Sequence, residues 1–147
     1  MSRWVEVTAR PEFETPLSLD GFSEVRRSRV YYLQAPDLDK ILEGLQRDSR
    51  CLADPVSEQL EVDGRADSGH DWVVEVTYRG GVTDNEARVV EEVLPVQARS
   101  ARRYYLRGGN AAQIEALAAR HWANSLIQRI QVVPVGQPLA SPPPVLL

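Results

Sequence analysis

A motif that occurs twice constrains this chain more than any other feature of its sequence. SRVYYL occupies residues 28–33, and ARRYYL occupies residues 101–106, 73 positions later. Strand-like stretches before and after each copy also match, at offsets of 69 and 70. The changes between these offsets correspond to insertions or deletions of a few residues, which belong in turns and loops rather than in strands. The sequence therefore predicts two similar units joined in one chain.

Each unit shows the residue pattern of a strand–helix–strand–helix–strand order. Residues 4–9 alternate apolar and polar side chains, which is typical of a strand with one buried face. Asp37 stands at an N-cap position, and the apolar residues that follow recur at helical spacing in 38–45. Residues 11–24 lack such a pattern, so the first helix of the first unit is expected to be shortened or lost. A short helical turn is predicted around 16–23 instead.

Glycine- and proline-rich stretches set the predicted boundaries. The first unit covers 1–63, a linker without large aliphatic residues covers 64–70, and the second unit covers 71–134. The tail, 135–147, contains three consecutive prolines, which favour an extended polyproline conformation.

The predicted fold class is α+β, with two tandem ferredoxin-like units of βαβαβ order, antiparallel sheets and helices on one face. A unit of about 62 residues buries only a modest core and is marginal on its own. Because one face of each sheet has no predicted helix, we expect the two units to pack as a pseudo-two-fold pair.

The repeated motif predicts which of its residues meet at this pairing. On one face of each motif strand the side chains are consistently apolar, and this face is assigned to the core: Tyr31, Leu33, Tyr104 and Leu106. Tyr32 and Tyr105 fall on the opposite face, and they are interface candidates together with Arg29, Arg102 and Arg103. Two interpretations of the arginines stay open. They form a solvated edge or pair with Glu6, Glu75 and helix carboxylates, or they bind an acidic partner surface or a phosphate.

A turn before a predicted helix distinguishes the second unit. Gly81 suits the turn, Thr83 or Asp84 can cap the helix, and the helix is expected to begin near Asn85. Glycines before a helix can also hold an anion, but neither this turn nor the one at 107–110 matches a P-loop or a dinucleotide fingerprint.

The sequence contains no constellation that predicts catalysis. Cys51 has no nucleophile motif around it and is expected to be a structural, partly buried thiol. His121 lies on a predicted apolar helix stripe and is expected to be packed, whereas His70 is expected to be solvated. One cysteine and two distant histidines give no metal-site spacing, so neither a catalytic residue, a metal nor a cofactor is predicted.

Charge and hydropathy narrow the class of partner. The chain has 147 residues, a formal net charge of -4 and a sequence pI near 5.2, which argues against nucleic-acid and anionic-membrane binding. There is no run of about 18 apolar residues that would span a membrane. A cytoplasmic location is the expectation from the single cysteine and the strand pattern near the N-terminus.

Two stretches resemble phosphoribosylformylglycinamidine synthase, a family of purine-biosynthesis enzymes. Residues 78–85 (YRGGVTDN), followed by a helix, and residues 123–130 (ANSLIQRI) resemble its N-terminal region. Residues 52–62 (LADPVSEQLEV) look like the end of PurS, the separate small subunit of that system. The resemblance covers residues 3–134 and implies two fused PurS-type units, because PurS in this family is a βαβαβ protein that works as a dimer.

The resemblance implies a role without catalysis. In this family the PurS part is implied to bridge the glutaminase and synthetase parts and to help ammonia pass between them. The implied partners are those two subunits or domains, and self-association of the chain stays open, as does the choice between a free subunit and an excised domain. The alternative is an amino-acid-sensing regulatory module of ACT-like type, which would bind its ligand between the two units.

Overall fold

The computed structural model describes residues 3–14, 17–19, 22–65 and 69–140. These residues form an α+β fold of seven strands, three α-helices and one short 3-10 helix. In chain order they are β1 (Arg3–Ala9), the 3-10 helix (Pro11–Phe13), β2 (Leu17–Leu19), β3 (Phe22–Gln34), α1 (Leu38–Arg47), β4 (Glu58–Val62), β5 (Trp72–Tyr78), α2 (Asn85–Val93), β6 (Gln97–Leu106), α3 (Ala111–His121) and β7 (Gln128–Pro134).

One antiparallel sheet runs through the whole molecule. Six of its strands lie in the order β4-β1-β3-β6-β5-β7, and β2 pairs with β3 beside this path. The pairing of β3 with β6 joins the two sequence units, and it places Arg29 directly opposite Arg102. The strands that carry the repeated motif therefore lie at the centre of the sheet.

Two apolar cores lie between the helices and one face of this sheet. The first core joins Val5, Val7 and Tyr31 of β1 and β3 to α1 and α2, and the second joins β5 and β6 to α3. The helix α2 belongs to the second sequence unit, yet its Ala87 and Val90 pack in the first core. The prediction that Tyr31, Leu33, Tyr104 and Leu106 belong to the core is confirmed.

The opposite face of the sheet, called the helix-free face below, contacts both described ends of the linker between β4 and β5. These two strands are separated in the sheet by β1, β3 and β6. The Gly64 carbonyl accepts a hydrogen bond from Trp4 Nε1 at 2.8 Å, and the His70 ring lies 5.9 Å from the Tyr105 ring. The helix-free face is therefore covered in part by the ends of this segment. The sequence pattern had predicted this face as the surface on which the two units pack, whereas the structure joins them edge to edge through β3 and β6.

The first unit departs from the predicted elements in the region expected to lose its helix. The helical turn predicted around 16–23 is wrong, because 17–19 form a strand and β3 already begins at Phe22; residues 16, 20 and 21 lie outside the described residues. The loss of a full first helix is confirmed, since only the 3-10 helix Pro11–Phe13 stands there. The helix after Asp37 is also confirmed, although the Asp37 side chain makes no capping bond.

The first residues of the predicted tail run beside β7. Ala140 exchanges two hydrogen bonds with the Gln131 side chain, and Gln137 accepts a hydrogen bond from Arg65 of the linker. These contacts hold the segment up to residue 140 against the linker and β7. The predicted polyproline stretch, 142–144, lies outside the described residues.

Candidate functional site

Six polar side chains form a buried cluster at the centre of the helix-free face. The members of this buried polar cluster are Glu6, Ser28, Tyr32, Glu75, Arg103 and Tyr105, and each is at most 8% exposed. Successive side chains of a strand point to opposite faces of the sheet, and these six lie on the face opposite to the residues of the two apolar cores. Four strands, β1, β3, β5 and β6, contribute to the cluster.

Each carboxylate of the cluster accepts hydrogen bonds from the other unit. The Tyr32 hydroxyl lies 2.8 Å from both carboxylate oxygens of Glu75, and the Tyr105 hydroxyl donates to Glu6 in a short hydrogen bond. Ser28 Oγ also donates to Glu6, at 2.9 Å. Four side chains of the cluster are thus bonded across the β3–β6 pairing, in two tyrosine–glutamate pairs.

Arg103 is the cation of the cluster. Its Nε donates to Glu75 at 2.7 Å, its Nη1 lies 3.5 Å from Glu6 and donates to the Gly64 carbonyl at 3.0 Å. The Arg103 guanidinium also lies over the Trp4 ring, 5.3 Å from its centroid. One guanidinium therefore serves both carboxylates, and it ties them to the linker above.

The surroundings shift the protonation equilibria of this cluster in directions that preserve its hydrogen bonds. Burial, and then the nearby charge of Glu75, raise the pKa of Tyr32, while burial and Glu6 raise the pKa of Tyr105. Burial opposes the charged form of Arg103, but the combined attraction of Glu75, Tyr32 and Tyr105, with the hydrogen bond to Glu75, outweighs it and the pKa of Arg103 is raised. Both tyrosines therefore remain donors at neutral pH, and Arg103 remains charged.

A second buried arginine on the helix-free face lacks such partners. Arg99 of β6 is 8% exposed, and its Nη2 reaches only the Tyr78 carbonyl, at 3.5 Å. Within the described ranges, its Nε and Nη1 make no hydrogen bond, and the nearby Thr77 hydroxyl makes none either. Arg99 is thus a buried cation to which the described residues supply no carboxylate, in contrast to Arg103.

The remaining arginine candidates lie on the face that carries the helices. Arg29 donates to Glu58 and to the Leu52 carbonyl, and the hydrogen bond with Glu58 raises the pKa of Arg29 against the effect of burial. The exposed Arg102 donates to Glu86 of α2 at 3.0 Å. The interpretation that pairs the arginines with Glu6, Glu75 and helix carboxylates therefore describes Arg103 and Arg102. Arg29 pairs instead with a strand carboxylate.

An open groove of about 330 Å³, called the basic groove below, lies beside these two arginines. Its floor is formed by β1, β3 and β6, and its wall includes Phe13 of the 3-10 helix. Its charged and apolar lining comprises Arg26, Arg27, Arg29, Arg102, Glu14, Glu58, Val7, Ala9, Phe13 and Tyr104. Its size is that of a small-molecule site.

The turn motif of the second unit has a structural role that its residues explain. Gly81 has φ +82°, a left-handed conformation that glycine adopts without strain, and α2 begins at Asn85 as predicted. Asp84, rather than Thr83, is the N-cap: its carboxylate accepts from the Ala87 amide. It also accepts from the amide and hydroxyl of Ser100, at 2.7 Å each, which ties α2 to β6.

The cysteine and the histidines are not members of the buried polar cluster, although the His70 ring lies 5.9 Å from the ring of its member Tyr105. Cys51 is exposed, so the expectation of a partly buried thiol is wrong, although some loss of water contact still raises the pKa of the thiol. His121 is also exposed, because α3 ends there and Trp122 stacks on Tyr104 instead, with ring centroids 4.0 Å apart. His70 is half-buried rather than solvated. In the described part of the chain, no three His, Cys, Asp and Glu side chains are grouped as a metal site.

The burial of Glu6 and Glu75 does not follow from the local sequence pattern. Their pattern places them opposite the valines of β1 and β5, and such positions are usually solvated. One sequence signal is consistent with their burial. Both glutamates occupy corresponding positions, 69 apart, and each lies beside a strand that carries a tyrosine and an arginine on the same face of the sheet.

Comparisons with protein-family models, with curated proteins and with solved structures found no match. The resemblance to the synthase family therefore rests on the motifs in the sequence alone. Among the residues that the model describes, none of the helices has the length and apolar character needed to cross a membrane.

Proposed function

We propose that this chain is a non-catalytic part of phosphoribosylformylglycinamidine synthase, made of two fused PurS-type units. In this role it bridges the synthetase and glutaminase parts and assists the transfer of ammonia between them. The proposal rests on the sequence resemblance, on the way in which the two units share one sheet, and on the character of the buried polar cluster.

The observation that carries the proposal is a reciprocal exchange between the two units. Tyr32 bonds to Glu75, and Tyr105 bonds to Glu6. By the sequence offsets of 73 and 69, Tyr32 corresponds to Tyr105 and Glu6 corresponds to Glu75. A two-fold related pair of subunits makes each contact twice in this manner, with residue i contacting j and j contacting i. This is the pattern expected of a dimer whose subunits have been fused.

The strand register supports the same interpretation. Arg29 and Arg102 correspond by the offset of 73, and they lie directly opposite each other in the β3–β6 pairing. An axis of approximate two-fold symmetry through this pair would exchange β3 with β6 and β1 with β5. Arg103 departs from the symmetry, since its counterpart is Val30, and this single cation serves both carboxylates.

The chemistry of the site favours a supporting role over catalysis. The acids and the cation of the buried polar cluster are at most 2% exposed and bonded to one another, so a substrate has no access to them. Exposed apolar side chains stand instead beside both outer strands: Val56 precedes β4 and Leu126 precedes β7, at positions 70 apart. Contacts at both outer edges of the sheet would suit a part that joins two partners.

Co-purification tests this proposal most directly. The tagged chain is expected to retain separately expressed synthetase and glutaminase subunits of the same enzyme. Leu126→Asp is expected to weaken retention of at least one subunit, whereas Val89→Asp, which changes an exposed apolar residue on α2, is the matched control. Failure of the unaltered chain to bind either subunit would refute the assembly role.

One observation favours the ACT-like sensing module as a second candidate. The basic groove lies where the two units meet, as a ligand site between regulatory units would. Calorimetry with the free amino acids separates the two candidates, because an assembly part is expected to give no heat of binding.

A further inference from the structure

The basic groove exists because the first unit lacks a helix that the second unit has. In the second unit α2 follows β5, and its N-terminal end places Asp84 on Ser100 and Glu86 on Arg102. In the first unit only the 3-10 helix Pro11–Phe13 follows β1. The face of β1, β3 and β6 beside it is therefore left uncovered, and it forms the floor of the groove.

The side chains at this uncovered face have changed as well as the helix. Arg27 stands at the position that corresponds to Ser100 by the offset of 73. Ser100 receives the carboxylate of Asp84, but Arg27 is exposed and makes no hydrogen bond or ion pair with the residues that the structure describes. The groove thus has an additional cation at a point where the second unit has a bound carboxylate.

The charges of the lining leave the groove positive on a chain whose net charge is -4. Arg26 pairs with Glu14 at 3.0 Å, and Arg29 pairs with Glu58, so two of the four arginines are neutralised within the lining. Arg102 pairs with Glu86 from α2, outside the lining, and its side chain remains 59% exposed. Arg27, and in part Arg102, are therefore available to an incoming anion.

We propose that the basic groove binds the phosphate group of a small organic phosphate monoester, with Arg27 and Arg102 as its principal contacts. Guanidinium groups present planar donor pairs that match phosphate oxygens, and two arginines suit a group that carries close to two negative charges. The groove volume of about 330 Å³ exceeds what a phosphate alone requires. Phe13, which is 50% exposed, lines the remainder, so the organic part of the ligand contacts its aromatic ring.

The test titrates phenyl phosphate into the purified chain and follows backbone amide shifts by NMR, with inorganic phosphate and benzoate as separate arms at constant ionic strength. Phenyl phosphate is expected to shift the amides around Arg27 and Arg102 and to bind at least several-fold more tightly than either comparison. Arg27→Glu is expected to weaken its affinity at least tenfold, a loss of about 1.4 kcal/mol. Arg50→Glu, another exposed arginine outside the groove, is expected to leave it unchanged.

Three results would overturn the assignment. They are no shift of the groove amides by phenyl phosphate up to about 10 mM, equal affinity for benzoate, or unchanged affinity in Arg27→Glu. Arg27 is exposed, so its replacement is expected to leave the melting temperature near that of the unaltered chain, and Arg27→Gln provides a milder second variant. Phosphate binding is a property beyond the assembly role. Because the titration uses the chain alone, a negative titration does not bear on whether the chain co-purifies with the two subunits.

Discussion

The Tyr32 hydroxyl lies 2.8 Å from both carboxylate oxygens of Glu75, across the β3–β6 pairing and inside the molecule. This bond, the corresponding bond from Tyr105 to Glu6 and the guanidinium of Arg103 satisfy two carboxylates that strand alternation alone would place in water. A buried polar network of this kind stabilises a fold only while all of its members are satisfied.

Replacing Arg103 by methionine is expected to lower the free energy of unfolding by about 3–5 kcal/mol. The substitution keeps most of the side-chain volume but leaves Glu6 and Glu75 buried without their cation. Urea unfolding followed by tryptophan fluorescence measures the change. Arg102→Met is the matched control, since Arg102 is exposed and its ion pair contributes at most about 1 kcal/mol. Similar losses in the two variants would contradict a specific role for the buried polar cluster.

Replacing Arg99 by methionine is not expected to lower the free energy of unfolding, in contrast to Arg103→Met. Arg99 is buried, yet in the described part of the chain two of its nitrogens make no hydrogen bond, so its charge is desolvated without compensation. Removing the charge at similar volume is expected to leave stability unchanged or to raise it by up to about 1–3 kcal/mol. The same urea titration compares it with Arg103→Met. A loss of several kcal/mol in Arg99→Met would show that Arg99 has a partner in the folded chain.

Alkaline pH is expected to destabilise the protein through Tyr32 and Tyr105. Burial raises the pKa of both hydroxyls, so the folded state holds their protons more tightly than the unfolded state does. The corresponding stability is fully present below the unfolded tyrosine pKa of about 10, and it is lost as pH rises further toward the folded values. Urea midpoints between about pH 8 and pH 11 measure this loss.

Tyr32→Phe provides the control for that pH dependence. The variant is expected to be less stable at neutral pH, because Glu75 loses a donor, but to lose less stability between about pH 10 and pH 11. An unchanged alkaline slope in Tyr32→Phe would assign the loss to other groups.

Local sequence patterns were sufficient for most of the elements, because strand alternation and helical spacing are properties of neighbouring residues. They located α1 after Asp37 and α2 after Asp84, and they assigned Tyr31 and Tyr104 to the core. The same patterns failed for 17–19, where a strand depends on pairing with Val25 and Phe22 of β3 rather than on local periodicity.

The buried polar cluster depends on contacts that no local pattern contains. Glu6 is buried because Gly64, at the start of the linker, lies over the cluster and because β6 brings Tyr105 beside it. Both causes are tertiary, and they join residues 99 positions apart. The basic groove also depends on tertiary contacts. The first unit lacks a full first helix, and this leaves exposed a floor that contains strands of both units, β1, β3 and β6.

The Asp84 carboxylate is expected to contribute more than an ordinary N-cap. Asp84→Ala removes the bond to the Ala87 amide and also leaves the buried amide of Ser100 without its acceptor. The expected loss is about 2–4 kcal/mol, the sum of a cap and a buried unsatisfied donor. Thermal and urea unfolding measure it, with Thr83→Ala as the neighbouring exposed control, which is expected to change stability by about 0.5 kcal/mol or less. A loss no larger than that control would remove the proposed tie between α2 and β6.

Separating the two units tests whether the fold depends on the β3–β6 pairing. Residues 1–65 and 69–147 expressed as separate chains each expose one of these central strands and half of the buried polar cluster. An unpaired central strand and an open polar cluster favour association, so the two chains are expected to form a 1:1 complex when they are co-expressed. Size-exclusion chromatography with light scattering measures the mass of the complex. Arg103→Glu in the second chain is expected to weaken the complex, because it places a third carboxylate beside Glu6 and Glu75. Separate chains that are each folded and monomeric would contradict the interpretation of the two units as a fused dimer.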